Sequence, residues 1–352
     1  MSLLHPPVGC SRLVTPEGEL DRSEEGKDVG TFQRPWRTGF KCALLCGALL
    51  VCTSCGHHQP PTVAVITPTG GLEYWENFDH AVRTTAEAAG INTELAAPQS
   101  ATDYTEQAQM VENAIDRHVQ GIIVSPAHQL VLATVLQKAV AAKISVIIVG
   151  SPIALSAKDF SAVIGWDEEE AGRLAARRFV TLLGGKGEVG IVGVSPTAEG
   201  SSSIEKAFAD EIARSPGVKL VGVKYGLSDW ARGRQALLDL LVEHPDLKGI
   251  LTTDEFATHA ACFTFEERKQ KRPMLIGISD EVNELHCLQD GRIDALIVSD
   301  PRELGTRAMQ AMKATLAGKD ASRYSTQLPV TIVDRRSMTS NSLIEALLKG
   351  PA

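Results

Sequence analysis

From Thr62 onward, short runs of β-branched and other apolar residues alternate with longer segments whose apolar positions recur every three or four residues. The runs fall at 63–66, 121–124, 144–149, 189–192, 218–223, 249–251, 274–278 and 295–298. Near-continuous apolar runs of this length are strands covered on both faces, as in a parallel sheet between helices. Between them, 168–183 places Ala171, Leu174, Ala175, Phe179 and Leu182 on one helical face and leaves Arg173, Arg177 and Arg178 for the outside. The segment 303–316 repeats this with Leu304, Ala308, Ala311 and Met312, and Gly318 follows as a stop. Strict alternation predicts a doubly wound α/β architecture. About ten strands exceed one lobe of usual size, so the expectation is two Rossmann-like lobes, each a parallel sheet flanked by helices. A length of 352 residues agrees.

Doubly wound sheets bind ligands beyond the carboxyl ends of their strands, so the strand-to-helix junctions carry the candidate chemistry. The first junction ends in Tyr74 and Trp75. The next two offer Ser125 before Pro126, and Ser151 after Gly150. Further along come Ser202, then Ser228-Asp229-Trp230, Thr253-Asp254-Glu255, Ser279-Asp280-Glu281 and Ser299-Asp300-Pro301. Any one of these Ser, Thr or Asp residues is first of all a helix N-cap. Their convergence with Tyr74, Trp75 and Trp230 points instead to a cleft, where aromatic faces stack on a ligand and short polar groups fix it. The candidate set is Tyr74, Trp75, Ser125, Ser151, Ser202, Trp230, Thr253, Asp254, Ser279, Asp280 and Ser299.

The front of the chain reads differently. Arg34, Arg37 and Lys41 precede an apolar run at 42–52, then Thr53-Ser54-Cys55 and the polar stretch 56–61. A run of about 11 residues matches a signal-peptide core and is too short to span hydrocarbon as a helix. With Cys55 after small residues, the segment resembles the lipobox of bacterial lipoproteins, although Cys52 stands where leucine is usual. The resemblance implies lipid on Cys55, a tether at 56–61, and a location in the periplasm or on the outer face of the cell membrane. Signal peptides begin close to their basic region, so the working start is expected downstream of Met1. Residues 1–55 are left out of the fold.

Composition removes several classes. At 43% hydrophobic and 22% charged the chain is not largely disordered, and a net charge of -8 without a basic stripe argues against nucleic acid. Gly184-Gly185-Lys186-Gly187 lacks phosphate-loop spacing and precedes a strand. No nucleophile elbow or metalloprotease helix is present, so no enzyme and no cofactor is expected. His259, Cys262, His286 and Cys287 do not make a zinc set, since neighbouring residues on a helix diverge by about 100°. Cys262 and Cys287 read as two buried thiols, or as a disulfide in an oxidising compartment.

From about Thr62 to Asp334 the order of motifs resembles the periplasmic substrate-binding proteins of the ribose-binding type. The likeness is carried by Tyr74-Trp75, the strand end 121–126, Trp166-Asp167-Glu168, the segment 249–255, the segment 276–280 and Asp290 to Ala295. It implies two lobes, 62–165 plus 300–329 and 166–299 plus 330–352, joined by three crossings and closing on ligand as a hinge. It also implies a monomer that delivers a small solute to an ABC transporter permease. The alternative is a sensor of a non-sugar ligand docking on a membrane histidine kinase or chemoreceptor. The chain departs from the family's sugar-binding pattern at Gly150-Ser151, Ser202, Thr253, Ser279 and Ser299. Two arginine forks that read several hydroxyls are thereby missing. A sugar or sugar-like ligand other than ribose is expected.

Overall fold

The computed structural model describes residues 59–150, 153–268 and 272–350. The first lobe begins with β1 (Thr62–Ile66), α1 (Glu73–Glu87), β2 (Asn92–Ala96), α2 (Tyr104–Asp116), β3 (Gly121–Val124), α3 (Gln129–Ala141), β4 (Ser145–Val149) and β5 (Ala162–Trp166). The second is built from α4 (Glu168–Leu182), β6 (Gly187–Gly193), α5 (Glu199–Ile212), β7 (Val218–Tyr225), α6 (Trp230–Glu243), β8 (Gly249–Thr252), α7 (Glu255–Arg268), β9 (Met274–Ile278), α8 (Val282–Gln289) and β10 (Ala295–Val298). The chain closes with α9 (Pro301–Leu316), β11 (Thr326–Leu328), β12 (Thr331–Val333) and α10 (Ser342–Lys349).

Two six-stranded sheets result, ordered β11-β5-β4-β3-β1-β2 and β12-β10-β9-β8-β6-β7. The chain passes between them after β5, after β10, and between β11 and β12. Every pairing in the first sheet is parallel. In the second, β12 runs antiparallel to β10 at the edge, a departure from the all-parallel expectation. The chain enters β12 directly from β11 of the first sheet, so this edge strand is the continuation of the third crossing.

Each sheet is buried on both faces, which is why its inner strands read as unbroken apolar runs. The strands not visible as runs are β2, β5, β11 and β12. The edge strand β2, Asn-Thr-Glu-Leu-Ala, has a single neighbour and is nowhere fully buried, so little drives its residues to be apolar. Helix α9 returns to the first lobe, where Leu304, Ala308, Met309 and Met312 pack with Val63, Phe78 and Ile147. Asp300 caps it by accepting from the Arg302 and Glu303 amides, and Pro301 opens it. Gly121 permits this packing: a Cβ there would sit 2.4 Å from Met312 Sδ.

Cys262 and Cys287 form a disulfide that joins α7 to α8, which resolves the two readings left open by the sequence. Both sulfurs are thereby removed from any metal set. Cross-linking over a sequence separation of 25 contributes about 3 kcal/mol by restricting the unfolded chain.

Candidate functional site

The carboxyl ends of both sheets border a cavity of about 310 Å³. On the first-lobe side the wall is aromatic. Tyr74 and Trp75 occupy the first turn of α1 and meet edge to face at 4.7 Å between ring centroids. Trp166, the last residue of β5, donates its indole N–H to Tyr74 Oη at 2.7 Å. Trp75 is anchored behind by an edge contact of 5.5 Å with the buried Phe78. The floor is set by Gln107, a buried side chain with all its polar atoms occupied. It donates to the Thr67 and Ser125 carbonyls and accepts from the Ala127 amide, fixing Ser125 and Pro126 at the end of β3. Gly150, at φ +74, comes so close to Gly165 that a Cβ on Gly165 would lie 2.6 Å from its carbonyl oxygen.

The second-lobe side is acidic and hydroxylic. Asp280 accepts from the Ser299 amide and hydroxyl, both at 2.7 Å. Thr253 and Ser201 are hydrogen-bonded at 2.7 Å, and Ser201 donates to Glu205 at 2.8 Å. A hydroxyl has one proton, so Thr253 is the donor of its pair. Ser279 accepts from the Glu281 amide. Glu255 and Glu281 also line the space, with Glu168 at the start of α4. Among the described residues no lysine, arginine or histidine lines it.

Burial without a compensating cation dominates the electrostatics. It pushes Asp280 up to about 7, even though the two Ser299 bonds favour the ionised form. Glu255 rises to about 8 through burial first and the neighbouring Asp254 charge second. Burial also raises Asp254, Glu281 and Glu205. Tyr74 is pushed well above its ordinary value by burial and then by the Asp280 charge.

The lobes meet along a reciprocal clasp beside the cavity. Glu281, at the start of α8, accepts from the Glu73 and Tyr74 amides at 3.1 and 3.0 Å. Glu73, at the start of α1, accepts from the Val282 amide at 2.8 Å. Each carboxylate satisfies amides left unpaired at the other lobe's helix N-terminus, where the helix dipole favours negative charge.

Of the candidates from sequence, Tyr74, Trp75, Ser125, Thr253, Ser279, Asp280 and Ser299 line the cavity together. Ser151 and Cys55 lie outside the described residues. Three candidates require correction. Trp230 stands 55% exposed on α6, stacked at 4.7 Å on His259 of α7, and does not wall the cavity. Asp254 is buried as the cap of α7, accepting from the Ala257 amide and the Ser228 hydroxyl. Ser202 turns to the Pro196 carbonyl. Sequence reasoning missed Trp166, Glu168, Ser201, Glu255 and Glu281. Glu255 and Glu281 sit on the flagged junctions, one residue beyond the aspartates chosen there.

Two doubly wound lobes crossed three times by the chain, with a cavity at their facing strand ends, define a two-lobed cleft-binding protein. The chain belongs to the periplasmic binding protein family, of the ribose-binding type: the model described as periplasmic binding protein domain matches residues 63–320. It is 26% identical over 246 residues to the D-ribose/D-allose-binding protein of Pseudomonas aeruginosa, covering 68% of this chain and 75% of that one. It is 25% identical over 285 residues to the D-apiose import binding protein of Paraburkholderia graminis, covering 80% and 87%. Among solved structures, an ABC transporter solute binding protein from Burkholderia graminis C4D1M, in complex with D-arabinose, superposes with a TM-score of 0.74 at 27% identity. That match covers 80% of this chain and 97% of the other.

Proposed function

We propose that this chain is an extracytoplasmic solute-binding protein that traps a sugar or sugar-like compound between its lobes and hands it to an ABC transporter. The observation that carries this is the 310 Å³ cavity at the facing strand ends, with the Tyr74–Trp75–Trp166 wall on one side and hydroxyl and carboxylate groups on the other. A ring fits such a space by its C–H face on the aromatics and its polar edge on the acceptors. The Glu73–Glu281 clasp gives closure a set of contacts made only when the lobes meet, so ligand binding selects the closed form. Transport is favoured over sensing because the apiose relative is an import protein and the arabinose-bound neighbour is a transporter component. The groups in the cavity are assigned no catalytic step.

The test is thermal unfolding of the purified full chain with pentoses, hexoses and polyols. A ligand at a hundredfold excess over its dissociation constant adds about 2.7 kcal/mol of stability. An unchanged transition with every compound would remove the sugar reading. The same proposal puts the protein in the periplasm or on the outer face of the cell membrane, held there by lipid on Cys55. Cys55→Ala should move it from the membrane fraction to the soluble fraction.

A further inference from the structure

The cavity's charge balance is unusual for a site meant to hold a neutral polyol. Four carboxylates from the second lobe border it, those of Glu168, Glu255, Asp280 and Glu281, and no basic side chain does so among the described residues. They differ in what already occupies them. Asp280 is held by the Ser299 amide and hydroxyl, and Glu281 by two amides of α1. Among the described residues, the hydrogen bond that favours the ionised form of Glu255 comes from its own backbone amide. It is free for this role because the neighbouring Asp254 has taken the capping of α7. A half-buried carboxylate with so little compensation is costly and calls for a donor that also carries charge.

The opposite wall supplies the second half of such a site. Tyr74, Trp75 and Trp166 form three sides of an aromatic corner, and the Tyr74 oxygen is occupied by the Trp166 indole N–H. Aromatic faces attract cations through their quadrupole, most strongly where water is excluded. The arginines expected from the family's sugar-binding pattern would have neutralised these acids and donated to sugar hydroxyls. Of the two arginine positions, Ser151 lies outside the described residues, and Ser202 donates to the Pro196 carbonyl and does not line the cavity.

We propose that the ligand of this cavity carries a protonated or quaternary nitrogen, seated between the Glu255 carboxylate and the aromatic corner. This rests on the reading of the chain as a cleft-binding solute protein and names the class of its cargo. The ammonium group supplies the positive charge that the side chains lack. The Ser125 hydroxyl and the acceptor side of the Thr253 hydroxyl remain for the rest of the molecule. The nitrogen can belong to a sugar ring or to a short aliphatic chain, and the recognition chemistry is the same.

The experiment is calorimetric titration of the full chain with matched pairs: D-glucosamine and D-glucose, D-galactosamine and D-galactose, choline and its uncharged carbon isostere 3,3-dimethylbutan-1-ol. At least one charged member should bind tenfold or more tighter than its partner, on the scale of a desolvated cation–π contact joined to a charge-assisted hydrogen bond (~tenfold to a hundredfold). Preference confined to the amino sugars identifies a sugar-borne nitrogen; preference confined to choline identifies an aliphatic one. Glu255→Gln, which keeps shape and removes charge, should reduce the preference to about threefold or less. Equal or tighter binding of the neutral members would overturn the charge proposal and leave the sugar-binding function standing. Binding of no compound in the panel would overturn both. A charged preference that survives Glu255→Gln would overturn the seat assigned here.

Discussion

Across the cavity the first lobe presents rings and the second presents carboxylates, although both walls are made from strand-to-helix junctions of the same architecture. Tyr74 and Trp75 open α1 and Trp166 ends β5, whereas Glu255, Asp280 and Glu281 stand where α7 and α8 begin. The difference follows from how each helix start is capped. Helix α1 begins after Leu72, which has no side-chain acceptor, and its first amides are taken by Glu281 from the other lobe. Its first turn is therefore free to be apolar. Helix α7 is capped by its own Asp254, so the next residue, Glu255, can turn to the cavity. Helix α8 begins after Glu281, whose carboxylate crosses to α1, and Glu73 fills its first amide in return. Which acidic residue is spent on a cap decides which remains for a ligand.

Removing a ring should have the largest effect on this comparison. Tyr74→Ala deletes the centre of the aromatic corner and strands the Trp166 indole N–H without its acceptor. Ligand affinity should fall about a hundredfold or more, since a buried aromatic contact and a hydrogen bond are lost together. Titration of the variant with whichever ligand the wild-type chain binds checks this. A loss of threefold or less would show that the first lobe's rings pack the lobe and do not read the ligand.

The acidic wall can be read through pH. Asp280 and Glu255 are raised to about 7 and about 8, above their values of 3.8 and 4.5 in an unfolded chain. Between those limits the folded protein holds protons that the unfolded chain has released, so stability must fall as pH rises. Neighbouring charges add to burial: Asp254, Glu281 and Asp280 raise Glu255, and Glu281 and Asp300 raise Asp280. The ligand-free chain should therefore melt several degrees lower at pH 8 than at pH 5, and Glu255→Gln should flatten the curve. A flat wild-type profile would mean that solvent already compensates these acids.

The inner strands and helical stripes were legible in the sequence because burial on both faces demands unbroken apolar runs, and burial on one face demands a three-to-four spacing. Edge strands such as β2 escaped because one neighbour and half-burial impose no such demand. The junctions were legible as places, since a doubly wound sheet puts its ligand there whatever the residues. Within a junction, the sequence could not say which of two adjacent residues faces inward. At 253–255 the inward pair is Thr253 and Glu255, with Asp254 given to its helix. At 279–281 all three residues face inward. One residue along a helix start is about 100° of rotation, and capping settles it only once the chain is folded.

The clasp offers a smaller perturbation that affects both walls at once. Glu281→Gln keeps an acceptor toward α1 but removes the charge that the helix N-terminus favours. The closed form should lose about 1 kcal/mol, the range of a partly buried helix-terminus interaction. Affinity should drop about fivefold, mostly through faster release. Stopped-flow dissociation measures this directly. An unchanged release rate would mean that closure is held by the ligand alone.

The smallest expected effect is at Trp230, the aromatic residue that the sequence reading assigns to the cleft wall of the acidic lobe. It opens α6 behind Asp229, as Tyr74 and Trp75 open α1, so its position on the strand-end edge is comparable to theirs. Its ring, however, lies flat on His259, whose Nδ1 is hydrogen-bonded to the buried Glu284 at 2.7 Å, and more than half of the residue is open to water. Trp230→Ala removes a stacking contact worth about 0.5–1.5 kcal/mol of stability and nothing from the cavity. Ligand affinity should stay within about twofold of wild type, well short of the tenfold that 1.4 kcal/mol represents. A loss as large as that of Tyr74→Ala would place an aromatic residue of the second lobe on the ligand after all. The division into a ring wall and an acid wall would then fail.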